Sequence, residues 1–88
     1  MPIALATKQL DELQRVAEHY QNTFDAIENQ GGRITAADYE NLQNNVSQQI
    51  DVVTTLRDEN AKRMNETIGT DDYDTYAAAY IQNESALA

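Results

Sequence analysis

From Ile3 onward the apolar residues of this chain advance in alternating steps of three and four: Ile3, Ala6, Leu10, Leu13, Ala17, Tyr20, Phe24, Ile27. Such an a/d stripe, held through four heptads, predicts a helix over about 3–29 whose narrow apolar seam fits one or two partner helices. It also decides a question that composition leaves open. Leu, Ile, Val and Phe make up about 19 % of the chain and the formal net charge is -9, which borders on the composition of disordered proteins. A disordered chain has no reason to keep a sustained helical period, so the stripe argues for a folded helix.

The glycine pair at Gly31 and Gly32 stops this helix, because Gly accepts the left-handed conformation of a C-cap. Thr35 follows as an N-cap, with Asp38 in the capping-box place three residues on, so a second helix is expected over about 36–68. Its apolar residues are Tyr39, Leu42, Val46, Ile50, Val53, Leu56, Met64 and Ile68, a stripe interrupted by Gln49 and Asn60. Asp58 with Lys62 and Glu59 with Arg63 place acid before base at four-residue spacing, the pattern of a solvated helical face. Gly69 is expected to end the second helix, and Thr70 to cap a third over about 71–86 whose first turn carries Asp71, Asp72 and Asp74 at the positive end of its dipole. The expected fold class is all-α: one helical domain, a long antiparallel hairpin with a short C-terminal helix, packed like a coiled coil and oligomeric.

Charge narrows the partners. With pI near 4.2, the chain lacks the clustered Lys and Arg that displace counterions from a phosphate backbone, so neither nucleic acid nor an anionic membrane is expected. No apolar run approaches the roughly 18 residues of a membrane span, and no signal peptide is recognised. Export without a cleaved signal, or a place in a virion, stays open. Cysteine is absent, so there is no disulfide framework. Asn45-Val-Ser47, Asn65-Glu-Thr67 and Asn83-Glu-Ser85 match the glycosylation pattern by chance in an Asn-rich chain.

The chemistry-bearing residues are few. His19 is the only histidine and falls on the outer flank of the first helix; Ser47 and Ser85 are the only serines, and neither stands in a strand-to-helix elbow. The inward Glu-x-x-His pairs of carboxylate-bridged metal bundles are missing, since Val16 stands three residues before His19. Gly31-Gly32 is not followed by the Lys-Ser/Thr pair of a phosphate loop. The expectation is a non-enzyme with no catalytic residue, no cofactor and no metal.

One stretch does suggest a site. Phe24 to Leu42, FDAIENQGGRITAADYENL, resembles an EF-hand: a Phe near the end of one helix, a Gly bend, Ile34 two residues after Gly32, and an acid four residues beyond that. In this alignment Ile27, Asn29 and Gly31 occupy the first, third and fifth ligand positions, and Asp38 the last. Calcium takes six to eight oxygens, largely from side chains at those places; Ile and Gly offer none. The reading is a capped bend between helices.

What remains is interaction. Helices of about 27 and 33 residues make a hairpin roughly 40 to 50 Å long at about 1.5 Å per residue, and a third helix of about 16 can cover only half of it. An uncovered apolar seam calls for another copy of the chain or another protein of an assembly. The expected interaction residues are Leu10, Leu13, Tyr20, Phe24 and Ile27 on the first helix and Tyr73, Tyr76 and Tyr80 on the third, with Tyr76 and Tyr80 facing a partner chain and core packing as the near-even alternative. The sequence Tyr80-Ile-Gln-Asn-Glu84 resembles the Tyr-x-x-x-Asp/Glu export signal that follows the last helix in the WXG100 family of secreted hairpins, although the Trp-x-Gly turn of that family is replaced by Gln30-Gly31-Gly32-Arg33. The chain is also similar in size and hairpin form to type III secretion needle subunits, without their proline-bearing turn. Both resemblances imply a small acidic helical subunit of a secreted filament or a phage particle. The alternative function is a small acidic inhibitor that blocks a basic nucleic-acid-binding surface, motivated by the charge of -9.

Overall fold

A computed structural model describes residues 3–88 as three helices: α1 (Ile3–Asn29), α2 (Ala36–Glu66) and α3 (Asp72–Leu87). α1 packs on α2 and α2 on α3, while α1 and α3 do not pack on one another. Both pairings run antiparallel. Asn45 reaches the carbonyl of Leu13 and Phe24 meets Tyr39 across the first; Asn60 meets Asn83 and Arg57 meets Glu84 across the second.

The first bend is a Schellman turn built on two glycines. Gly31 takes φ +76°, its N–H donates to Glu28 O at 3.0 Å, and the N–H of Gly32 donates to Ile27 O at 2.9 Å, the paired bonds that satisfy the last carbonyls of a helix. A Cβ on Gly32 would lie 2.9 Å from Ile27 Cγ2, so the second glycine is needed for closeness rather than for φ. Four residues later the capping box closes. Thr35 Oγ1 accepts from the Asp38 N–H at 3.1 Å, and Asp38 Oδ2 accepts from the Thr35 N–H at 3.2 Å. Ile34 and Tyr39 hold the N′ and N4 positions of a hydrophobic staple at this entry.

The second bend differs from expectation. α2 ends at Glu66, two residues before the expected 68, because the backbone tightens there: the Thr67 N–H donates to Met64 O at 3.3 Å and the Thr70 N–H to Thr67 O at 3.0 Å. Gly69, at φ +84°, then turns the chain. Thr70 does not cap α3. Its hydroxyl donates back to Thr67 O at 2.7 Å, and the N-cap is Asp71, with no side-chain cap bond. Asp72 and Asp74 still occupy the first turn at the positive end of the helix dipole.

The molecule is a rod of 58 × 22 × 19 Å. Its Cα radius of gyration is 17.0 Å, against about 12 Å for a compact chain of this length. Among the described residues the buried apolar side chains are Ala6, Phe24, Val53 and Leu56. With α2 packed on both neighbours and α1 not packed on α3, most apolar side chains are left half covered.

Candidate interaction surface

Every member of the α1 stripe is buried or half-buried, so the stripe faces α2. Among the expected interaction residues, Phe24 is buried, with ring centroids 6.1 Å from Tyr20 and 5.6 Å from Tyr39. Leu10, Leu13, Tyr20 and Ile27 are half-buried. The second helix corrects its sequence reading. The buried and half-buried line of α2 runs through Leu42, Asn45, Gln49, Val53, Leu56 and Asn60, and amides fill half of it. Asn45 and Asn60 are 6 % and 4 % exposed. The Nδ2 of Asn45 donates to Leu13 O at 3.0 Å, and its Oδ1 accepts from Gln49 Nε2 at 2.6 Å. No buried side-chain polar atom among the described residues lacks a partner, so the amides are satisfied in place. Asn45 and Asn83 were missed as structural residues. The signal available was phase: Leu42 and Leu56 lie two heptads apart, and steps of three and four between them pass through 45 and 49.

Val46 and Ile50, read from the sequence as members of that stripe, are 44 % and 51 % exposed, as is Tyr39 at 51 %. They lie about a quarter turn around α2, on the line that continues as Val53, Arg57, Asn60 and Met64. That second line is where α3 sits. Asn60 Nδ2 donates to Asn83 Oδ1 at 2.8 Å, and Arg57 Nε lies 3.5 Å from a Glu84 carboxylate oxygen. Leu87, Val53, Ile50 and Leu10 line one cleft where α3 ends. α3 therefore covers the later half of the line and leaves the earlier half, Tyr39 to Ile50, bare.

Tyr73, Tyr76 and Tyr80 are half-buried and recur at helical spacing with Asn83 and Leu87, the residues that meet α2. α3 packs on its own hairpin, and the tyrosines share that inner face. The Tyr80-to-Glu84 stretch lies inside α3, not in a segment after the last helix, and Glu84 is engaged by Arg57. A second groove opens on the opposite side of the hairpin, lined by Leu13, Val16 and Val52 and flanked by Glu12 and Asp51.

The EF-hand alignment does not describe the bend. Ile27 and Asn29 belong to the last turn of α1, and the Asp38 carboxylate closes the capping box, accepting from the Thr35 hydroxyl at 2.8 Å as well. Among the described residues no three His, Cys, Asp or Glu side chains group so as to hold a metal ion. His19, Ser47 and Ser85 are exposed. Asn45, the head of one glycosylation pattern, is buried. No described helix is long and apolar enough to cross a membrane. Comparison with protein-family models, curated proteins and solved structures finds no match.

Proposed function

We propose that this chain is a non-enzymatic structural protein, a small acidic helical subunit that associates with copies of itself as part of a larger assembly. One observation carries the reading: the amount of surface left open. The chain exposes 6291 Å², about 1,100 Å² more than the roughly 5,200 Å² expected of a compact monomer of its mass. Among the described residues seven large apolar side chains are exposed, including Val16, Tyr39, Val46 and Ile50. A standard interface takes about 800 Å² from each partner, so the excess is of the size that one interface removes. The phage-particle and secreted-filament versions share this physical basis and differ only in the setting.

Sedimentation velocity over a rising concentration series tests the proposal. The expected outcome is a species of at least twice 9.9 kDa by high micromolar concentration, with helical content unchanged or raised. A monomer throughout would overturn it. Salt-sensitive binding of that monomer to a basic protein would then support the acidic-inhibitor alternative.

A further inference from the structure

Resting on that reading, we infer that the self-association surface is the bare half of the second α2 line, and that its occupant is a second copy of the chain in antiparallel, two-fold contact centred on Val46. The spacing of the line supplies the first argument. Leu42, Val46 and Ile50 stand at offsets of minus four, zero and plus four from Val46; Tyr39 extends the exposed line at one end, and the buried Val53 bounds it at the other. The set of three is symmetric about its centre. An antiparallel partner helix with its axis there sets Val46 on Val46 and Leu42 on Ile50 of the other copy, so each of these apolar side chains meets another. A two-fold interface requires this self-complementarity, residue for residue.

Charge supplies the second argument. Two chains of -9 each repel wherever their acids approach. From Asn41 to Ile50 no side chain is ionisable, and this uncharged run brackets Val46. The residues of α1 beside it, Leu10 and Gln14, are uncharged as well. The opposite groove, although it also exposes Val16, is flanked by Glu12 and Asp51, and a two-fold contact there would bring like charges together. The uncharged face is the one on which two copies can close.

The third argument is the length of α3. It lies on the same α2 line and ends near Val53 and Ile50, just where a partner helix centred on Val46 would begin. α3 therefore confines the contact to the part of the line before Val53, which is already buried. The excess surface of about 1,100 Å² per chain is enough for the standard interface of about 800 Å² a side.

The test uses the full chain with four substitutions. V46D places two like charges face to face on the axis and should convert the dimer to a monomer of unchanged helical content. V16D, on the opposite groove, should leave the dimer intact. V46C, a small change at a half-exposed position in a chain without cysteine, should cross-link to a dimer on mild oxidation or with a short bis-maleimide, whereas E66C, outside the overlap, should not. Dissociation by V16D with V46D still dimeric, failure of V46C to cross-link, or a wild-type mass that grows beyond two copies would overturn this interface while leaving self-association standing. A wild type that stays monomeric would overturn both.

Discussion

Asn45 of α2 donates its amide to the backbone carbonyl of Leu13 in α1, 3.0 Å away, although that carbonyl lies within its own helix and Asn45 is buried. The bond ties Asn45 to α1 and satisfies an amide that is otherwise buried. Asn45→Asp puts a carboxylate against that carbonyl and loses the donor, and should cost about 2–4 kcal/mol. Asn45→Leu removes the need for a partner and should cost less than about 1 kcal/mol, because Gln49 is only half-buried and finds water. Chemical denaturation of the two variants checks the order. Equal losses would mean that the amide acts only by filling space.

The two glycines of the first bend should respond to different substitutions. Gly31 has φ +76° and open space around a Cβ, so Gly31→Asn, which tolerates the left-handed region, should cost clearly less than Gly31→Ala, at about 1 kcal/mol for the latter. At Gly32, φ is ordinary, but a Cβ would meet Ile27 Cγ2 at 2.9 Å and Ile27 O at 3.2 Å. Asn there brings no relief, and both Gly32→Ala and Gly32→Asn should cost about 1–3 kcal/mol. Melting of the four variants tests this: Asn should rescue at 31 and not at 32.

The α1 stripe, the Gly-Gly stop and the Thr35–Asp38 box were legible in the sequence because each is a local rule satisfied by local residues. The heptad stripe needs no knowledge of its partner, and a capping box needs only three residues of spacing. The α2 seam was not legible in the same way. A search for apolar period admits Val46 and Ile50 and rejects Asn45, yet the structure turns the amides inward, because each finds a partner on another element or one turn away. Which apolar line of α2 faces α1 and which faces α3 depends on how the helices are placed, and no single-helix period carries that. The end of α2 lies two residues early because its backbone tightens to three-residue bonds, Thr67 N–H to Met64 O and Thr70 N–H to Thr67 O, before Gly69 is reached.

α3 should come away before the hairpin unfolds. None of its residues is fully buried, and its polar tie is the Asn60–Asn83 bond together with the Arg57–Glu84 pair. Asn83→Ala leaves Asn60, almost wholly buried, without its partner and should destabilise α3 by about 1–3 kcal/mol. Replacing both Tyr76 and Tyr80 with Ala should go further, because their half-buried rings lie on the same inner face. Native-state hydrogen exchange then distinguishes two outcomes. If the tyrosines act as the structure places them, amides of α3 exchange faster in the variant while those of α1 stay protected. If their main contacts are with a partner chain, α3 protection in the dissociated subunit is unchanged and only assembly weakens.

Salt should tighten self-association. Each chain carries -9, and burying an uncharged apolar line against its copy gains nothing from Coulomb attraction, so the electrostatic contribution is net repulsion between the two chains. The Debye length shrinks from about 10 Å at 0.1 M to about 3 Å at 1 M, which removes most of that repulsion while leaving apolar contact in place. The expected dissociation constant therefore falls on the order of three- to tenfold between low and high salt with a non-chaotropic ion. An acidic inhibitor docked on a basic surface has the opposite sign, since salt screens the attraction that holds it. Sedimentation equilibrium at several salt concentrations reads the sign directly. Dissociation of the oligomer on adding salt would mean that ion pairs rather than the Tyr39-to-Ile50 line hold the copies together, and the uncharged-face argument would fail.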